Sequence, residues 1–169
     1  QNVLKATNAW TKIIKDEALL EGLNEDTKKM LRENAKAKGE EGFLLNLKPT
    51  TYIPLMQDCN NRELRQELYI AYNSRCIGGE FDNTEIIKDI VNTRLKLAQL
   101  FDKSCYADKS LHKTMAENKN NVYNLLNQLR DAYMPVATEE YNELQQFAKS
   151  IGFSGDLKAW DWSYYSKKL

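Results

Sequence analysis

The side chains that most often carry out chemistry are thinly spread in this sequence. His112 is the sole histidine, and the three cysteines, Cys59, Cys76 and Cys105, lie far apart with no Cys-x-x-Cys spacing. A catalytic zinc site takes three protein ligands, usually including at least two His or Cys, and this chain does not present that set at motif spacing. Serine and cysteine nucleophile systems would both have to use His112, and nothing around it signals a nucleophile elbow. Adjacent carboxylates occur at Asp16-Glu17, Glu40-Glu41 and Glu139-Glu140. Neighbours on a helix point in different directions, so these pairs do not converge on one bond and read as solvated helix faces. Gly78-Gly79 lacks both the lysine of a phosphate-binding loop and the spacing of a dinucleotide fingerprint, so it reads as a turn. The isolated cysteines read as small buried hydrophobes. No catalytic residue, no metal ligand and no cofactor is therefore assigned within the chain.

The run Trp160-Asp161-Trp162-Ser163-Tyr164-Tyr165 is the most unusual local composition. On a helix Trp160 and Tyr164 share one face, and Asp161 and Tyr165 the next. The first reading is aromatic core packing around a hydrogen-bonded polar tip. The alternative is a surface that closes over a ligand or a second domain. Because the run abuts Leu169, part of its packing partner is expected to lie outside the chain.

The elements that must position these residues are mainly helical. The sequence has 169 residues, 42% hydrophobic and 28% charged, which is a globular composition consistent with one domain over 1–169. Lys+Arg and Asp+Glu are both 24. With no basic stripe, nucleic acid and membrane surfaces are excluded as partners. Residues 1–9 predict the last turns of a helix. Residues 10–15 and 43–47 predict two short strands that pair as a ribbon around a polar helix, which Asn24 caps and Gly39 ends. Pro54 is expected near the start of a short helix, where its missing N–H does no harm. Asn61 predicts the cap of a helix running to about Cys76, with Leu64, Leu68, Tyr69, Tyr72 and Cys76 on one face. The 82–85 spacing predicts a capping box led by Asp82 for a helix that turns Ile86, Ile87, Ile90, Leu97, Ala98 and Phe101 inward. A long Pro-kinked helix is expected over about 120–151. Its apolar phase from Val122 through Leu125, Leu126, Leu129, Tyr133, Val136, Tyr141, Leu144 and Phe147 to Ile151 survives across Pro135. The fold class is a helical bundle-like array with a small two-stranded ribbon.

Several runs, in order, carry a resemblance: Ala9-Trp10, Leu20-x-Gly22-Leu23, Ala35-x-Ala37-x-Gly39, Tyr52-x-Pro54-x-Met56 and Asn61-Arg62-Glu63-Leu64-Arg65. The residues 71–76, Asp82-Asn83-Thr84, Leu97-Ala98-x-Leu100 and Ala159-Trp160-Asp161-x-x-Tyr164-Tyr165 continue it. Together they resemble the thimet oligopeptidase family of zinc peptidases, upstream of its catalytic motif. The Asn61–Arg65 run and Asp82-Asn83-Thr84 tilt the resemblance toward the bacterial branch of oligopeptidases A and dipeptidyl carboxypeptidases. It covers essentially the whole chain, and its specificity lies in the order and spacing of the pieces. The resemblance implies a helix-rich enzyme whose halves enclose a channel for short peptides, with zinc on a His-Glu-x-x-His helix. That motif does not occur here, so no catalytic or metal residue carries over. Arg75, Trp160, Asp161, Tyr164 and Tyr165 match family positions and are expected to be structural or channel-wall residues.

On this reading the chain is an inactive internal segment. Its partners are the catalytic remainder of the same polypeptide and, in the parent enzyme, short peptides. Zinc belongs to the parent enzyme. Its compartment is the cytoplasm, with the periplasm as the alternative. The rival reading is a free-standing helical interaction module without enzymatic activity.

Overall fold

Two strands, one short 3-10 turn and eight α-helices make up the computed structural model, which describes all of residues 1–169. The chain divides into two compact units, one formed by residues 1–82 with 144–169 and the other by residues 83–143. No helix is long and apolar enough to cross a membrane.

The first unit begins with α1 (Asn2–Ala9) and β1 (Thr11–Ile14), followed by the 3-10 turn Glu17–Leu20. Then come α2 (Glu25–Lys36) and β2 (Phe43–Asn46). The strands pair antiparallel as expected, with Thr11 opposite Asn46 and Ile14 opposite Phe43. A lone two-stranded ribbon is marginal in water. Here all four β2 residues are buried, and Leu20, Leu31, Leu45, Leu47, Leu55 and Leu68 are fully enclosed in the core beside them. Asn24 caps α2, its side-chain oxygen accepting from the Thr27 N–H at 2.8 Å. Gly22 has φ +95°, and a Cβ there would collide with the Asp58 carbonyl. That close approach explains why glycine occupies the turn between the 3-10 segment and α2.

α3 (Pro49–Asp58) and α4 (Arg62–Asn73) complete the first run of the unit. The proline expectation needs correction. Pro49 occupies the first turn of α3, where the missing N–H is harmless, whereas Pro54 lies inside the helix and leaves the Thr50 carbonyl without its helical donor. Asn61 caps α4 as expected, accepting from the Leu64 N–H at 2.9 Å. After the chain returns at residue 144, α8 (Ala159–Lys168) closes the unit. A second buried cluster of Leu144, Ala148, Leu157, Tyr164 and Tyr165 forms beside it, with Phe147 and Phe153 half-buried against it.

The second unit holds α5 (Thr84–Gln99), α6 (Tyr106–Leu111) and the first part of α7 (Lys119–Ser150). The N-cap of α5 is Asn83, one residue beyond the predicted Asp82. Helix α7 runs unbroken through Pro135, as the continuous apolar phase predicts. The inward direction of these helices is the main correction. On α5 only Ala98 is buried, while Ile86, Ile87, Ile90 and Leu97, and Phe101 just beyond the helix, are between 37% and 58% exposed. On α7, Leu125, Leu126, Leu129, Tyr133, Val136 and Tyr141 are exposed, as is Ile151 just beyond its end, and Leu144 is buried in the first unit. Helical periodicity establishes that a face is apolar; it carries no information about what covers it.

Candidate functional site

The best-defined constellation is built where α4 begins and α8 begins. Arg62 and Arg65 stand three residues apart and so project from one face of α4. Asp161 occupies the first turn of α8, where the helix dipole favours an acid. Its carboxylate accepts from the Lys158 N–H at 3.0 Å, and the Asp161 N–H donates to the Lys158 carbonyl at 2.8 Å, closing the helix start. Preceding α8, the Gln145 side chain clamps the loop, donating to the Gly155 carbonyl and accepting from the Leu157 N–H.

Asp161 is fully buried and receives both arginines. Arg62 binds it in fork geometry, Nε to Oδ1 at 2.9 Å and Nη2 to Oδ2 at 2.7 Å. Arg65 Nη2 reaches Oδ1 at 3.2 Å. Arg65 is only 1% exposed and spends its other donors on backbone carbonyls, with Nη1 at 2.7 Å from Cys59 O and Nε at 3.3 Å from Trp160 O. Its guanidinium lies 3.9 Å from the Tyr164 ring centroid. Burial pushes the Asp161 carboxyl up, but hydrogen bonds from Arg62, Lys158 and Arg65 outweigh it and hold the group below the usual carboxylate range.

The aromatic residues pack around this ion cluster. Tyr164 donates from its hydroxyl to Asn60 Oδ1 at 2.8 Å. Tyr165 meets Tyr164 edge-on at 5.0 Å, and burial raises its phenol above the ordinary value. Trp160 meets Tyr69 edge-on at 6.1 Å, and Arg62 lies over both the Trp160 and Phe153 rings. Trp160, Tyr164 and Tyr165 therefore have packing partners inside the chain, which narrows the expectation of a partner lying partly outside it to the exposed Trp162. Only Trp162 of its aromatic residues is exposed.

Four of the five sequence candidates, Trp160, Asp161, Tyr164 and Tyr165, thus come together. Arg75 does not join them. It stacks 3.6 Å from the Tyr72 ring, donating to Tyr72 O and to Thr7 Oγ1 at 2.7 Å each. It lines a separate shallow cavity of about 420 Å³ with Trp10, Cys76, Glu80 and Phe81 among its walls. Sequence reasoning missed Arg62, Arg65 and Asn60. The signal was present in the i, i+3 spacing of two arginines after a capping asparagine, but not their acidic partner 99 and 96 residues away.

Chemically, the cluster positions rather than reacts. A buried carboxylate held ionised and engaged by four donors is not poised as a general acid or base. No group of three or more His, Cys, Asp and Glu side chains is placed to hold a metal ion.

The scaffold and its ion cluster do not by themselves define a class of protein; comparison with known proteins does. The profile of peptidase family M3 matches residues 55–169, and the chain belongs to that family. It is 40% identical to oligopeptidase A of Salmonella typhimurium and 40% identical to that of Escherichia coli, in each case over 99% of this chain and 25% of the relative. The dipeptidyl carboxypeptidase of Escherichia coli is 27% identical over 100% of this chain and 25% of its own length. The chain thus spans about a quarter of the length of these relatives, and the family resemblance read from the sequence is borne out.

Proposed function

We propose that the chain is a non-catalytic helical portion of a zinc metallo-oligopeptidase that hydrolyses short peptides, and that it forms part of the substrate-channel wall. One observation carries this reading: 40% identity over 99% of the chain with oligopeptidases A four times as long. On this reading 1–169 is one segment of a larger peptidase domain, and the remainder of the polypeptide supplies the zinc ligands. The exposed apolar faces of α5 and α7 support it, because such faces in one protein are normally covered. The cluster around Asp161, with Trp160, Tyr164 and Tyr165, acts as a structural brace for the wall, and Arg75 braces α4 against α1. The compartment proposed is the cytoplasm.

The test is made on the whole gene product. The reading frame should continue into a His-Glu-x-x-His motif, and the intact protein should bind stoichiometric zinc and cleave short peptides until a chelator is added. The isolated chain should do neither. Peptidase activity of residues 1–169 alone, sensitive to a chelator, would overturn the non-catalytic assignment. A frame without the motif would leave the interaction module as the better account.

A further inference from the structure

Within the second unit, the chain after α5 folds around a cavity of about 620 Å³ lined by Phe101, Lys103, Lys109, Ser110, His112 and Lys113. Three lysines line this one concavity. The lysines that form ion pairs in this protein are Lys12, Lys28, Lys88, Lys119 and Lys167; Lys103, Lys109 and Lys113 form none. No acidic residue is among those lining the cavity. Asp108 is engaged by Ser104, Cys105 and Lys119, and Asp102 sits in a left-handed turn at φ 53° outside the lining.

Like charges gathered in one place repel, and a chain of zero net charge is not forced by its composition to gather them. Lys103 and Lys109 are also half-buried, so part of their hydration is already lost. Lys109 is held over two rings, 5.3 Å from the Phe101 centroid and 5.6 Å from that of Tyr106. This contact fixes its ammonium group at the cavity.

We propose that this cavity binds a small multivalent oxyanion of the phosphate class. A single carboxylate would neutralise one of the three lysines, whereas a pyrophosphate-type chain matches several at once. Lysine binds phosphate as a point charge, and Ser110 and His112 add hydrogen-bonding groups to the same wall. The exposed Phe101 ring gives an aromatic edge on which a nucleoside carrying the phosphates could rest.

The experiment is calorimetric titration of the intact polypeptide with inorganic pyrophosphate and, separately, adenosine diphosphate. The expected result is saturable one-to-one binding that weakens as salt is added. Each of Lys103→Gln, Lys109→Gln and Lys113→Gln should weaken it by roughly two- to fivefold, and the triple variant should abolish it. Equal affinity for both probes assigns the site to a free phosphate chain. Tighter binding of the nucleotide, its advantage over pyrophosphate lost in Phe101→Ala, assigns it to a nucleotide's phosphates. Circular dichroism checks that the triple variant folds; if it does not, Lys113→Gln at the exposed rim serves alone. No saturable binding of either probe, or undiminished binding in the lysine variants, overturns the proposal.

Discussion

Replacing Asp161 by asparagine tests the brace between α4 and α8 most directly. The change is nearly isosteric, yet it leaves Arg65, at 1% exposure, as a buried cation without its counter-ion. It also turns a carboxamide NH2 group toward guanidinium donors. Removing one partner of a buried ion pair costs about 3–5 kcal/mol, against a total stability of about 5–15 kcal/mol for a typical domain. Arg62 is different, because its side chain is 39% exposed and water can replace the lost bonds. Arg62→Gln should cost about 1 kcal/mol. Arg65→Leu should cost at least as much as Asp161→Asn, since it also strips the donors from Cys59 O, Asn60 O and Trp160 O.

Urea unfolding followed by tryptophan fluorescence reads this unit selectively, because Trp10, Trp160 and Trp162 all lie in it and residues 83–143 contain none. The Asp161→Asn midpoint should fall by about 2 M at an ordinary denaturant slope. The pH dependence follows from the lowered carboxyl pKa. The stabilisation is complete above the unfolded-state value of about 3.9 and is lost as pH falls through the still lower folded-state value. The difference between the native protein and Asp161→Asn should therefore persist from neutral pH down to about 4 and close only below it. A cost under about 1 kcal/mol, a larger cost for Arg62→Gln, or closure of the gap between pH 7 and 5 would refute the reasoning.

Three further outcomes follow from the same structure. The Thr51 hydroxyl is buried without a hydrogen-bond partner, so Thr51→Val should stabilise by about 1 kcal/mol, read as a raised thermal midpoint. Cys59 is fully buried and burial pushes its thiol up, so an aromatic disulfide reagent should modify Cys76 and Cys105 first and reach Cys59 only on unfolding. Ile87→Lys and Leu129→Lys should change the stability of residues 1–169 by less than about 0.5 kcal/mol in chemical denaturation, because both positions are exposed. The same pair should destabilise the intact peptidase if its remainder covers these faces.

The parts of the fold legible in the sequence are those decided within a few residues. Asn24 and Asn61 each cap a helix through an N–H three residues on, and the ribbon follows from two β-rich runs around one helix. The unbroken course of α7 through Pro135 was legible for the same reason, since the apolar phase is continuous on both sides. What lay across long separations was not. Arg62 and Arg65 were visible as a resemblance, but their convergence on Asp161 depends on how α8 packs against α4. The exposed faces of α5 and α7 show the complementary limit: amphipathicity is local, burial is not. For Trp160 and Tyr164 the neighbours in space include Tyr69, Arg65 and Asn60, which position along the chain does not reveal.

The Arg62–Asp161 contact, spanning 99 residues of chain, has a consequence for synthesis. The first unit is discontinuous, with residues 83–143 intervening before its last pieces appear. On a ribosome emitting the chain from its N-terminus, the ribbon, α3 and α4 can assemble early, but the buried Arg65 lacks its counter-ion until residue 161 emerges. At about 5–20 residues per second that interval lasts several seconds. During it the Arg65 guanidinium, buried in the finished unit, has no carboxylate partner. Because residues 83–143 fold as a unit of their own, closing the first unit costs less than closing a free loop of that length. The pairing of α4 with α8 is therefore a contact that synthesis supplies late, and substitutions in it weaken the finished fold.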